Sequence, residues 1–203
     1  MTKKTWIAAG LLACGMLSAQ EKGNPIFSDD FGTEETFIEN WKSSSGVENK
    51  DGELTLPLGG NLIMKRAMPK QFYATVRLKI HQPEPDQPKG GFGGFTIGGN
   101  VFVIRPDGNA WMVYKVPGQK HAGGAIKKID DFQFGKYYTL TLIRKPAGAD
   151  KDGSRWIYLV DGKEIGQVVL ADPPEDTKLS IFAYRTKLTL DDFQISELKS
   201  SDK

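Results

Sequence analysis

The chain has 203 residues, 27 basic and 25 acidic side chains, a formal net charge of +2 and a single cysteine. That length suits one domain with its own hydrophobic core. A near-neutral charge with no Lys/Arg-dense stripe argues against nucleic acid, whose binding needs many phosphate contacts.

The first residues read as an export signal. Lys3 and Lys4 precede an uncharged apolar run from Trp6 to Leu17, small residues follow at Ser18 and Ala19, and polarity rises from Gln20. The run is far shorter than the roughly 20 residues a membrane-spanning helix needs. Residues 1–19 are therefore expected to be a cleaved signal peptide. Leu11-Leu12-Ala13-Cys14 also resembles a lipobox, which would make 1–13 a lipoprotein signal and Cys14 a lipidated N-terminus. Cleavage after Ala19 gives the more typical length and is the favoured reading. It leaves no cysteine, so stability must come from the core rather than from disulfides. Lys3 and Lys4 leave with the signal, so 25 basic residues then face 25 acidic ones. The expected location is periplasmic, cell-surface or secreted, with a membrane reached only through a lipid anchor.

Residues 20–26 read as a polar leader, 27–198 as a single domain and 199–203 as a polar tail. Within 32–40, Thr33 is placed to cap a short helix with Glu34 and Glu35 in its first turn. From there almost every apolar segment has period two. Strands are expected at 54–58, 61–65, 73–80, 95–97, 101–105, 111–116, 137–144, 156–160, 163–170, 179–184 and 188–198. The pattern is clearest in 73–80, where Ala74, Val76, Leu78 and Ile80 alternate with Tyr73, Thr75, Arg77 and Lys79. Turn pairs such as Gly59-Gly60, Asp107-Gly108 and Asp161-Gly162 separate the runs. The Pro/Gly segment 83–94 is too long for a simple turn, and Gly90–Phe95 reads as a flexible or bulged start to a strand. About ten short strands without a long helix predict an all-β fold, an antiparallel two-sheet β-sandwich.

Phe27-Ser28-Asp29-Asp30-Phe31, Trp41, Asp51-Gly52-Glu53-Leu54, Phe134-Gly135-Lys136-Tyr137-Tyr138, Tyr158–Lys163 and Leu190–Ile195 follow one another in an order that resembles the concanavalin A-like superfamily. That superfamily includes laminin-G-like domains, lectins, glucanases and bacterial domains of the 3-keto-disaccharide hydrolase type. The resemblance implies a curved jelly roll over about residues 26–198, with a concave face that often grips sugar. The catalytic Glu-x-Asp-x-x-Glu strand of the family-16 glucanases has no counterpart. Its nearest string, Glu84-Pro85-Asp86-Gln87-Pro88-Lys89, carries two prolines and ends in lysine.

Nucleophilic and zinc chemistry find no constellation: His81 and His121 stand apart, and no Gly-x-Ser-x-Gly string occurs. Sugar recognition needs aromatic faces with polar groups at their edges. The candidates are Phe92, Arg105, Trp111, Tyr114, Tyr184 and Arg185. Trp111 and Tyr114 fall on opposite strand faces, so at least one belongs to the core. The resemblance also makes Asp30 and Asp192 candidates for a structural Ca²⁺, since the first and last strands of related sandwiches lie side by side; no other cofactor is required. The expected function is that of an exported, non-catalytic, lectin-like domain contacting polysaccharide or glycosylated surfaces. Two alternatives stand: a glycoside hydrolase with dispersed acids such as Asp86, Asp107 or Asp131, and a structural or adhesion domain with a protein partner.

Overall fold

Alternation decides how the chain folds. In Phe72–Ile80 the side chains of Ala74, Val76, Leu78 and Ile80 are completely buried while Arg77 is exposed. One face of the strand is therefore core and the other is not. The computed structural model describes residues 22–50, 52–83, 90–115, 123–148 and 151–199. The expected export segment with Cys14, the Glu84–Lys89 string with Asp86, and His121 lie outside the described residues.

Among the described residues fifteen strands and one short helix follow in order: β1 (Lys22–Asp29), α1 (Glu34–Asn40), β2 (Trp41–Ser43), β3 (Glu48–Lys50), β4 (Glu53–Leu56), β5 (Asn61–Met64), β6 (Phe72–Ile80), β7 (Phe92–Ile97), β8 (Asn100–Ile104), β9 (Asn109–Tyr114), β10 (Gly123–Lys128), β11 (Tyr137–Pro146), β12 (Ser154–Val160), β13 (Lys163–Leu170), β14 (Leu179–Tyr184) and β15 (Leu188–Leu198). All pairings are antiparallel. The eight-stranded sheet runs β13-β12-β11-β6-β15-β4-β3, with β1 also paired to β15. The seven-stranded sheet runs β10-β9-β8-β7-β14-β5-β2. The two-sheet sandwich expected from the sequence is the observed architecture. Helix α1 starts as expected, with the Thr33 hydroxyl accepting the Thr36 backbone N–H at 3.3 Å.

The inner faces meet over one apolar core. Trp156 stacks on Phe102 at 5.9 Å and meets Phe72 edge-on at 6.0 Å; Trp41 meets Phe193 edge-on at 5.1 Å. Each fully buried Phe in this set stabilises the fold by roughly 1.5–3 kcal/mol. Asp29 at the end of β1 ties the two sheets together, its carboxylate accepting the Phe31 backbone N–H and the indole N–H of Trp41 in β2, each at 2.8 Å. Buried as it is, Asp29 persists because both oxygens are occupied.

Several strands depart from the sequence expectation. β1 begins at Lys22, inside the stretch read as a polar leader, and β2, β3 and β10 were not expected. All four lie at or near sheet margins, where backbone pairing to a single neighbour suffices and side chains need not alternate. The Gly90–Phe95 stretch is not a bulged start. β7 pairs with β8 without a register shift from Gly93↔Ile104 to Ile97↔Asn100. A Cβ at Gly93 would lie 2.3 Å from Leu188 Cδ1, so glycine lets β7 close on the opposite sheet.

Candidate functional site

The register assigns each candidate to a face. On the seven-stranded sheet Phe95, Phe102, Met112 and Ile181 point into the core. Their neighbours therefore point outward, and pairing aligns them in rows across the sheet. One row runs Ile126, Trp111, Val103, Gly94, Phe182 and Asn61. At strand spacings of about 4.8 Å, Trp111 and Phe182 stand ~14 Å apart along it. Gly94 leaves the middle of the row without a side chain. The row beyond it brings Phe92 opposite Tyr184.

Phe92, Phe182 and Tyr184 form one aromatic cluster on this outer face. Phe92 lies 4.8 Å from Tyr184 and 5.6 Å, edge-on, from Phe182. Tyr184 is 42% exposed, which leaves ring surface for a ligand. Arg185 lies 5.2 Å from the Tyr184 ring and adopts a left-handed conformation (φ 49°) in the turn that ends β14. Beside the cluster is a depression of about 280 Å³ lined by Asn61, Thr96, Ser180, Phe182 and Tyr184 together with the Gly59-Gly60 turn. The Asn61 Oδ1 atom is buried and accepts no hydrogen bond among the described residues. The hollow thus combines aromatic walls, the two hydroxyl side chains and the side chain of Asn61.

Trp111 and Arg105 form a second unit on the same face. The guanidinium lies over the indole at 3.9 Å and is held by Asp107, whose carboxylate is 3.1 Å from Arg105 Nη2. Arg105 Nε and Trp111 Nε1 are both buried without a hydrogen-bond partner among the described residues. Tyr114 does not join them. It points to the inner side and packs against the core, its ring lying over Gly123, where a Cβ would be 2.3 Å from it. Of the six sugar-contact candidates, the outer face thus gathers Phe92, Tyr184 and Arg185 in one group and Arg105 and Trp111 in another. Phe182 and Asn61 went unnoticed in the sequence. Phe182 lies two residues before Tyr184 and so shares its face, a period-two signal that was available.

Carboxylates are missing from the outward strand positions of this sheet among the described residues. Asp107 sits in the β8–β9 turn on Arg105. Asp131 lies in the turn after β10 with φ 52°, and the two turns meet through the Ile129 N–H and Gly108 carbonyl at 2.8 Å. Two carboxylates, Glu53 of β4 and Asp191 of β15, belong to the eight-stranded sheet instead. Each is engaged: Glu53 accepts from the Tyr137 hydroxyl at 2.6 Å and from Lys79 at 3.2 Å, and Asp191 pairs with Arg77 at 2.7 Å. Those hydrogen bonds from Tyr137 and then Lys79 hold the Glu53 carboxyl below its ordinary pKa. A general acid needs the opposite displacement.

The register β1↔β15 ends at Asp29↔Phe193 and so brings Asp30 beside Asp192, the two residues considered for calcium. Asp30 accepts the Gly32 backbone N–H at 2.9 Å; Asp192, with φ 52°, occupies the bulge between Asp191 and Phe193. Among the described residues no three Asp, Glu, His or Cys side chains gather closely enough to hold a metal ion. Any cation here would depend on backbone carbonyls.

No protein-family model matches the sequence, and no curated protein matches it either. Solved structures do match in shape. One comes from work on endo-acting O-glycanases of the human gut microbiota that initiate mucin breakdown, at 13% identity, covering 87% of this chain and 100% of that one, with a TM-score of 0.67. A β-glucanase of Bacillus licheniformis matches at 12% identity, 86% and 99% coverage and a TM-score of 0.63. The carbohydrate recognition domain of Emp47p matches at 13% identity, 87% and 97% coverage and a TM-score of 0.53. At these identities the likeness establishes the fold alone, the antiparallel two-sheet jelly roll that these structures share.

Proposed function

We propose that the protein is an exported, non-catalytic carbohydrate-binding domain that holds polysaccharide or a glycosylated surface on the outer face of its seven-stranded sheet. The observation that carries this reading is the cluster Phe92, Phe182 and Tyr184 beside a hollow with Asn61, Thr96 and Ser180, on a face whose strands carry no carboxylate among the described residues. Aromatic faces take the C–H faces of a sugar ring, while amide and hydroxyl groups fix its edge. Hydrolysis would need two carboxylates flanking the bond, roughly 5–10 Å apart. The similar folds include both a carbohydrate recognition domain and glucanases, so fold alone does not separate binding from cleavage. Export is read from the first nineteen residues.

A glycan array followed by a reducing-sugar assay on every hit tests the proposal. Retention without release of product is expected. Release that disappears when Asp107 or Asp131, the acids in the turns beside this sheet, is changed to its amide would overturn the non-catalytic part, and an array without hits would overturn carbohydrate binding itself.

A further inference from the structure

Adjoining the aromatic hollow is a second cavity of about 340 Å³. It lies where α1, β2, β5 and the start of β14 meet, and its polar lining is cationic: Lys42, Lys65 and Lys178, with the Ser43 side. The two cavities are neighbours by register. Ser180 of the aromatic hollow pairs with Ile63, and Ile63, which lines the second cavity, pairs with Lys42. Lys65 is anchored, donating from Nζ to the Ile38 carbonyl at the end of α1. Lys42 and Lys178 are exposed and have no carboxylate partner among the described residues, and no Asp or Glu lines either cavity. At the far end of the aromatic cluster Arg185 lies over the Tyr184 ring and pairs with no carboxylate among the described residues.

Like charges gathered on one side without acids between them leave a local positive potential that attracts anions. The opposite sheet demonstrates the ordinary solution, with Arg77, Lys79 and Lys163 each paired to an acid. We infer that the ligand is an anionic glycan. One sugar ring lies in the hollow against Phe182 and Tyr184, and a carboxylate or sulfate of a neighbouring unit reaches Lys42, Lys65 and Lys178. This rests on the carbohydrate-binding reading above and narrows it to acidic glycans. A sugar carboxylate and a sugar sulfate offer the same chemistry to these lysines, namely oxygens that accept charge-assisted hydrogen bonds.

The test is calorimetric titration with matched oligosaccharides on glucan, xylan, galactan and mannan backbones, each in neutral, uronate-bearing and sulfated form. At least one acidic member is expected to bind about tenfold or more tightly than its neutral counterpart at low salt. That margin should shrink as ionic strength rises. Lys42→Gln/Lys178→Gln should abolish the margin and leave neutral binding unchanged, because both side chains lie outside the aromatic hollow. Whether uronate or sulfate gains more identifies the source of charge. Equal affinity for neutral and acidic members, or a margin that survives the double substitution, overturns the inference while carbohydrate binding stands. No binding anywhere in the panel overturns both.

Discussion

The outer faces of the two sheets are built by the same alternation and have opposite chemistry. On the eight-stranded sheet the charged groups are paired: Glu53 with Tyr137 and Lys79, Asp191 with Arg77, and His81 with the Thr189 hydroxyl at 2.7 Å, while the buried Ser196 hydroxyl is its one unmatched outward group among the described residues. Its apolar outward residues Tyr73, Ile143 and Leu159 form a small buried cluster of their own. On the seven-stranded sheet the aromatic rings are part-exposed, Asn61 Oδ1 is unmatched and the lysines lack acids. A face whose groups are already paired gains little by exchanging them for a ligand's, since the new bonds only replace old ones. Residual, unmatched capacity is therefore the better guide to a binding face than polarity alone.

The sharpest way to break that contrast is to remove the rings. Tyr184→Ala combined with Phe182→Ala should weaken glycan retention by about tenfold or more, since each stacking contact contributes roughly 0.5–1.5 kcal/mol. Glu53→Gln on the other sheet should leave retention unchanged. Both variants should keep cooperative melting, as Tyr184 and Glu53 are exposed and Phe182 is a part-exposed residue of the outer face, outside the core. Equal loss of binding in the two variants would show that the ligand does not distinguish the faces.

A smaller effect is expected at Arg105. Its guanidinium over Trp111 contributes about 0.5–2 kcal/mol, the upper part applying where the pair is desolvated. Arg105→Ala should therefore lower stability by about 1 kcal/mol in urea melts and alter the tryptophan fluorescence of the folded state, since the indole loses its cationic cover. Arg105→Lys should recover part of the stability only, because an ammonium neither stacks as a plane nor keeps the bond to Asp107 in the same geometry. An unaltered spectrum in Arg105→Ala would mean the pair is not formed in solution.

How far the sequence carried these conclusions depended on what each residue answers to. β6 and β11 are central strands between two neighbours and β15 pairs with β6, β4 and β1, so their period-two pattern is strong and they are legible. β2 and β3 have three residues each, and β10 (Gly123–Lys128) pairs on one side only and holds two glycines and two lysines. Such margins leave hardly any hydrophobic pattern to read. At the candidate site Phe92 and Tyr184 were visible as aromatics at strand ends, but their pairing across β7 and β14 is a property of register. Tyr114 was legible only as half of an alternative, which packing resolves in favour of Trp111 facing outward. The three lysines come from positions 42, 65 and 178, whose neighbourhood exists only once β2, β5 and β14 are side by side. Sequence spacing carries no trace of that.

The faces should differ least, but measurably, in their response to acid. Burial, and then the nearby Lys187 and Lys79 charges, hold the His81 imidazole below its ordinary 6.5; Glu53 opposes this weakly. Glu53 is held below its ordinary 4.5. Both groups bind protons less readily folded than unfolded, so their stabilisation is present at neutral pH and is lost as pH falls. The loss begins below about 6.5 through His81 and continues below about 4.5 through Glu53. Because Glu53 is about half exposed, solvent screening limits its share to less than about 1 kcal/mol. His81→Asn should flatten the upper part of the stability–pH curve and leave the lower part in place; Glu53→Gln should do the reverse. Retention of a neutral glycan should not change between pH 7 and pH 5, since no carboxylate or histidine lines the aromatic hollow. A binding curve that tracks the His81 transition would mean that the two sheets are coupled through the core, and the separation of roles between the faces would fail.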